Sequence, residues 1–460
     1  TGDALHNPFI QLYEQYTLPS LLYGEPGLVG ISISYEEQLV PGLTLARLIK
    51  ERLPEAHIVV GGNILTRHRA ALVGNERLFR YIDSVIVYEG ETALLELADR
   101  LEQGRALEGT PNLYYRSGGT IHAPSSLHVE QVKTLPTPDF SGLPVGRYFS
   151  PLQLLPAYLS RGCYWRQCAF CTSPDGQDKI YRRRPAHQVA EDLAELRAKW
   201  GTACFAFVDE AVPPQHLEKL ADKLLSLTDR GFSWISWARF DRGFTPGVLE
   251  KLKRSGCAAL LFGLESASGR VLDRMRKGVH VDTAREILSA SRAAGILNHA
   301  GILVGFPTES EQEALETVRF VLEHDREIQS IGLSLFNLDK DSRVMMAAAR
   351  YGVEPILDPE EDLASAFDYM MGGRSREEKR RFYDAITRIL EEVYPYHILS
   401  IHRFLYPLQS GVADINAGTI DQGLGEKERM MNHENRVKSA YQKLAELENQ
   451  ILKGEFYDGN

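Results

Sequence analysis

Short apolar, β-branched runs alternate with stretches of helical spacing along most of the chain. Residues 28–34, 57–62 and 84–88 read as buried strands, and 43–53, 66–81 and 92–102 as helices. Strands alternating with helices of this length predict a parallel, doubly wound sheet. A ligand of such a sheet sits beyond the carboxyl ends of its strands, where Ser32, Ser34, Gly61, Gly62, Glu89 and Gly90 fall. Glycine there lets backbone approach a bulky ligand closely, although plain turn glycines account for the same spacing. Residues 112–116 and 121–123 flank Ser117-Gly-Gly-Thr120 and read as an appended hairpin.

Pro136, Pro138, Pro144, Pro151 and Pro156 predict a semi-rigid linker and a domain boundary. From Ala157 the alternation restarts. Residues 159–162 lead into a cysteine loop, strands are expected at 203–208, 233–237, 258–262, 299–304 and 330–336, and helices at 185–200, 246–254, 283–294 and 312–323. About six β/α units make a whole or partial barrel, with polar residues recurring where barrel enzymes build their sites. These are Asp209, Glu210, Arg239, Glu265, Ser266 and the turn from Gly305 to Glu309. Past about residue 340, Ser375-Arg-Glu-Glu378 forms a capping box opening a helix with Phe382, Ile386, Ile389, Leu390 and Val393 on one face. Val437, Tyr441, Leu444, Leu447 and Ile451 form a second apolar stripe, so a helical C-terminal domain is expected.

The loop Ser160-Arg-Gly-Cys-Tyr-Trp-Arg-Gln-Cys-Ala-Phe-Cys-Thr172 changes this picture from architecture to chemistry. It holds Cys163, Cys168 and Cys171, three of the five cysteines. Three thiolates can hold three irons of a [4Fe–4S] cube and leave the fourth iron open. A structural zinc, the alternative, wants a fourth protein ligand, and the next histidine is His187; a disulfide is the third reading. Tyr164 and Trp165 either line a channel beside the cysteines or pack as plain aromatics.

Composition narrows the partners. The net charge of -10 does not suggest a broad nucleic-acid surface, and Arg182-Arg-Arg184 reads as a solvated turn before a helix. Crowded cysteines without a disulfide pattern point to a reducing, cytoplasmic setting. No run of about 20 apolar residues spans a membrane, and no signal peptide is visible. The first residue is Thr, which suggests that the sequence begins inside a longer protein.

The cysteine loop resembles that of the radical S-adenosylmethionine (SAM) enzymes, with C-x4-C-x2-C spacing where C-x3-C-x2-C is commoner in that family. Ser160-Arg-Gly-Cys163, Gly263-Leu-Glu-Ser266, Met275-Arg-Lys-Gly278 and Gly305-Phe-Pro-Thr-Glu309 are similar to the barrel of its cobalamin-binding branch. Val29-Gly-Ile-Ser32, Val60-Gly-Gly62 and Glu89-Gly-Glu91 are similar to that branch's cobalamin domain. The resemblance covers about residues 20–340. It implies a Rossmann-like cobalamin-binding domain at 1–135, a linker at 136–157, a partial (β/α)6 radical SAM barrel at 158–340 and a helical domain at 341–460. The branch's domain normally has a strand, helix and second strand before the segment matching 28–34, and some relatives bind cobalt through a histidine there. His68 reads instead as a solvated helix histidine.

The resemblance further implies three cofactors: a [4Fe–4S] cluster on Cys163, Cys168 and Cys171, SAM and cobalamin. One electron from an external donor of the flavodoxin or ferredoxin type would cleave SAM to a 5′-deoxyadenosyl radical, and methylcobalamin would supply a methyl to the substrate carbon. Asp209 and Glu210 would then hold the methionine amine, Arg239 the carboxylate, Glu265 and Ser266 the ribose or methionine end, and Gly305 and Phe306 the adenine. The implied activity is C-methylation of an unactivated carbon in a peptide or natural-product intermediate. Alternatives are a cobalamin-assisted rearrangement or cyclisation, and a cobalamin or redox sensor without turnover. A methylthiotransferase would need a second cysteine trio, and residues 1–150 contain no Cys.

Overall fold

The computed structural model describes residues 5–148, 153–172, 180–227, 231–356, 366–394 and 426–457, with side chains from 430 in the last segment. It divides into two compact units, one centred on Thr1–Gln131 and one holding Val132–Pro174, Asp178–Ile356 and Asp368–Asn460.

In the first unit, α1 (Pro8–Leu12) and α2 (Leu18–Leu21) precede β1 (Leu28–Ser32), α3 (Leu39–Arg52), β2 (His57–Gly61), α4 (Asn63–Arg67), β3 (Ser84–Ile86) and α5 (Glu91–Glu102). The hairpin β4 (Leu113–Ser117) and β5 (Thr120–His122) completes the sheet. The strand order is sequential: β1, β2 and β3 are parallel, and β4 and β5 antiparallel. Both faces are covered, which is why the strands read as unbroken apolar runs. Ile58 and Val60 pack with Ala46 and Ile49 of α3, while Val59 and Ile86 pack under Ala93 and Leu97 of α5.

Two expectations fail here. Residues 66–81 are not one helix: after α4 come single turns at Arg69–Ala71 and Leu78–Arg80. Gly74 disfavours a helix, and Asn75 turns the chain by accepting the Leu78 N–H at 3.0 Å. His68 is not solvated; it follows α4 and is 2% exposed.

The second unit is built on an open six-stranded parallel sheet. Its strands are β6 (Leu154–Ala157), β9 (Cys204–Phe207), β10 (Ser233–Ala238), β11 (Cys257–Glu265), β12 (Leu297–Val304) and β13 (Ser330–Leu335), in the order β13-β12-β11-β10-β9-β6. The two-residue strands β7 (Ser160–Arg161) and β8 (Arg182–Arg183) pair antiparallel beyond β6. β6 lies within the proline-rich stretch 136–157. Its place at the sheet edge accommodates Pro156, which has no N–H to offer a further neighbour. Thr137, near the start of that stretch, is tied to α6 (Ala186–Trp200), donating to Asp192 and Glu195 at 2.9 and 2.7 Å.

Helices α6, α7 (Pro214–Ser226), α8 (Pro246–Arg254), α9 (Gly269–Arg274), α10 (Val281–Ala293) and α11 (Glu311–Glu323) follow the strands. Phe205, Trp234, Leu260 and Ile302 face this helical layer, and Ile235, Ala259, Leu261 and Leu297 cluster separately. Arg182–Arg184 is not a solvated turn: the first two residues form β8, and buried Arg184 pairs with Asp192 at 2.6 Å.

Beyond the sheet come β14 (Leu338–Asp339), α12 (Arg343–Met346), β15 (Val353–Ile356), β16 (Ala366–Met371) and β17 (Arg374–Ser375). α13 (Arg376–Val393) and α14 (Glu426–Leu452) follow. Ser375 and Glu378 make the expected capping box, and Phe382, Ile386, Ile389, Leu390, Leu444 and Leu447 join the main core. The C-terminal part is therefore helical, with a small antiparallel sheet added. No helix among the described residues is long and apolar enough to cross a membrane.

Candidate active site around the cysteine loop

The loop leaves β7 through Gly162, whose φ of +81° favours a residue without Cβ. Cys163, Cys168 and Cys171 are in no disulfide, and each is partly exposed. Asp209, just past β9, anchors the base of the loop. Its carboxylate accepts the Leu159 N–H at 2.9 and 3.1 Å and the Ser160 hydroxyl at 2.5 Å. Burial pushes its pKa up to about 6 against these hydrogen bonds, which pull it down.

Three distant segments grip the middle of the loop. The Ala169 N–H donates to Met275 O at 2.8 Å, and the Val344 N–H donates to Ala169 O at 3.1 Å. Arg343 donates to the carbonyls of Arg166 and Gln167 at 3.0 and 3.3 Å. Trp165 donates from Nε1 to Arg276 O at 2.8 Å, and its ring lies where a Cβ on Gly278 would sit, 2.0 Å from the nearest ring atom. Trp165 is thus a packing aromatic and a lock on the loop. Tyr164 donates to Asp241 at 3.2 Å, and its pKa is raised by burial and by Asp241.

Two cations sit behind the cysteines. Arg239 is 6% exposed, lies 4.5 Å over the Trp165 ring, donates to Lys277 O and points Nη1 at Cys168 Sγ from 3.9 Å. Lys277 is 7% exposed and pairs with Glu265 at 2.6 Å. Burial pushes the Cys168 thiol up, while Lys277 and Arg239 pull against that shift. Among the described residues no three His, Cys, Asp or Glu side chains converge on one ion-sized point. The thiolates of a cube bind different irons and need no such convergence. A donor set of three thiols on one loop, backed by cations, fits an anionic iron–sulfur cluster.

Beside the loop, Gly263, Gly301 and Gly332 lie in register across β11, β12 and β13. They occupy the face that Leu261 shares, two residues earlier on β11. A Cβ at Gly263 would come within 2.6 Å of the Glu265 carboxylate and the Lys277 ammonium. One at Gly332 would lie 3.0 Å from His299 Nε2. Across these adjacent strands the glycines at 263 and 332 make room for the Glu265, Lys277 and His299 side chains that lie over them. Strain gathers here too: Arg166, Glu265, Arg276 and Thr308 have φ of +52°, +63°, +54° and +77°. Such conformations cost about 1–3 kcal/mol each and concentrate at functional sites.

The other expected residues divide. Glu210 is exposed at the end of β9. Gly305, φ +77°, gives its N–H to Glu309 at 2.6 Å. Ser266 is fully buried and contacts the Thr317 hydroxyl at 3.3 Å, so it ties β11 to α11. Phe306 is also fully buried, edge-on to Phe336 and Tyr351, and offers no ring face to a ligand. Sequence reasoning assigned no role to Lys277, Arg343, Gly301 or Gly332. Lys277 stood inside the Met275–Gly278 motif, and glycines inside strands mark close backbone approach.

In the first unit, Ser32 is exposed and Ser34, Gly61, Gly62, Glu89 and Gly90 are partly exposed at the carboxyl ends of β1–β3. Gly62, φ +113°, packs so tightly that a Cβ would lie 2.2 Å from Ile33 O. Glu89 accepts the Glu130 N–H at 2.7 Å. The result is a face of small side chains, suited to a broad planar macrocycle.

Residues 158–321 match the Radical SAM superfamily. An uncharacterized methyltransferase of Pyrococcus horikoshii is 28% identical over 307 residues, 65% of each chain. An anaerobic magnesium-protoporphyrin IX monomethyl ester cyclase of Synechocystis is 25% identical over 61% of this chain and 56% of its own. The chain thus spans less than two thirds of the length of these relatives. Among solved structures, the radical S-adenosylmethionine methyltransferase TsrM of Kitasatospora setae aligns with a TM-score of 0.64 at 17% identity, over 83% of this chain and 82% of its own. The cobalamin-dependent S-adenosylmethionine radical enzyme OxsB aligns with a TM-score of 0.65 at 15% identity, over 98% and 75%. These likenesses establish the fold.

Proposed function

We propose that this chain, which carries a radical SAM domain over residues 158–321, is a cobalamin-dependent radical SAM methyltransferase. The observation that carries the reading is the cysteine loop itself: three thiols on one loop, with Arg239 and Lys277 buried behind them. When bound, the cluster and SAM supply a 5′-deoxyadenosyl radical, and cobalamin supplies a transferable methyl group.

The protein's part is to hold, orient and shield. Cys163, Cys168 and Cys171 bind three irons. SAM is received beside the loop at the carboxyl ends of β9–β12, where Glu210 is exposed. Asp209 is committed to Leu159 and Ser160, so its contribution is to fix the loop. The small-residue face at Ser32, Gly61, Gly62 and Gly90 receives the corrin. The methyl acceptor is an unactivated carbon of a peptide or natural-product intermediate. An external one-electron donor of flavodoxin or ferredoxin type completes the system.

Anaerobically reconstituted protein given SAM and dithionite should release 5′-deoxyadenosine; its absence sinks the enzyme reading in favour of a sensor. The relative named as a cyclase supports a second reading, ring formation or rearrangement without methyl transfer. Product mass separates the two: a gain of one methyl supports transfer, and an unchanged or dehydrogenated mass supports the second.

A further inference from the structure

We infer that Arg239 is a redox-tuning residue: its guanidinium presses an N–H and a positive charge onto the sulfur of Cys168 and makes the bound cluster easier to reduce. The inference rests on the cluster reading above.

Four observations place the group. Nη1 lies 3.9 Å from Cys168 Sγ, within reach of a weak N–H···S contact. Nη2 is spent on the Lys277 carbonyl, so the fork's orientation is fixed by backbone. The guanidinium plane is covered by the Trp165 ring at 4.5 Å, with Tyr164 at 6.0 Å. The residue is 6% exposed, so water does little to screen its charge. Trp165 is in turn locked by Arg276 O and the bare Cα of Gly278. The other charged groups acting on Cys168 are Lys277, Glu265 and Cys163, and Lys277 is paired with Glu265 at 2.6 Å. Arg239 and Lys277 both favour negative charge on this sulfur, and Arg239 is the one that also brings an N–H to it.

Reduction adds one negative charge to a cluster. A buried cation and a hydrogen bond to a ligating sulfur favour the more negative state, so both raise the potential. Arg239 acts through Cys168 and is a positioning residue.

The test is an EPR-monitored anaerobic redox titration of wild type, Arg239→Gln and Arg239→Lys, each matched for iron and sulfide content. Arg239→Gln should lower the reduction equilibrium constant about tenfold, a fall of about 59 mV for one electron. Arg239→Lys keeps the charge but cannot span the Lys277 carbonyl and the Cys168 sulfur at once, and should fall by a smaller amount. Equal potentials for wild type and Arg239→Gln overturn the inference. If Arg239→Gln takes up no cluster, Arg239→Lys decides, and a potential equal to wild type overturns it. Wild-type protein that takes up no cluster would instead overturn the reading on which the inference stands.

Discussion

At the carboxyl ends of β1–β3 the side chains are small, and Glu89 is the one charged group among those expected to meet a ligand. At the carboxyl ends of β9 and β10 and in the turn after α9, charged side chains are buried: Asp209, Arg239 and Lys277 are 3%, 6% and 7% exposed. Both faces occupy the same place in an α/β layout, where ligands gather. The first leaves surface for a broad ligand that brings its own chemistry. The second commits Asp209, Arg239 and Lys277 to the loop and to neighbouring side chains and carbonyls. A face that binds by shape should tolerate loss of any one polar group; a face that binds through three covalent donors should not.

The largest effect should come from the donors. Cys163→Ala, Cys168→Ala or Cys171→Ala should each abolish the broad iron–sulfur absorbance and 5′-deoxyadenosine release, while cobalamin stays bound through gel filtration. Loss of cobalamin in these variants would break the contrast between the faces. Next, Gly62→Val forces a Cβ to within 2.2 Å of Ile33 O at a φ of +113°. It should destabilise the first unit by about 3 kcal/mol and release cobalamin, with iron and sulfide content unchanged. Retention of cobalamin would show that the small-residue face is not where it binds.

The smallest effect concerns pH. Glu309 is fully enclosed, and burial raises its pKa from 4.5 to about 8 against the Gly305 N–H. The folded protein keeps this proton where the unfolded chain has lost it. Stability from this group is complete below about 4.5 and declines as pH rises towards about 8. Glu309→Gln should flatten the fall in Tm across that window, leaving the value at its acid end near wild type. An unchanged slope would remove Glu309 as its source.

Much of this was legible in the sequence because it is local. The β/α alternation, the capping box at Ser375 and the three thiols each declare themselves within a few residues. The strand-end polar residues were found by position, but their partners were not. Nothing near Asp209 announces that Leu159 and Ser160 will take both its oxygens, and nothing near Phe306 announces Phe336 and Tyr351. Arg343 meets its carbonyls across 176 and 177 residues. Such pairings are set by how strands stack, and spacing rules do not encode them. The break at Gly74 and Asn75 was equally local, a glycine and a turn-forming asparagine side by side.

The grip of Arg343 and Val344 on the loop has a consequence for how the protein is made. The cysteines leave the ribosome long before the segment that shapes their loop. Until residue 344 has been synthesised and docked, neither the bond from Val344 to Ala169 nor those from Arg343 to Arg166 and Gln167 can exist. For the length of time needed to add about 170 residues, at roughly 5–20 residues per second, the nascent chain carries three unshaped thiols. The final shape of the cysteine loop is therefore reached late, after the chain beyond the sheet has been made.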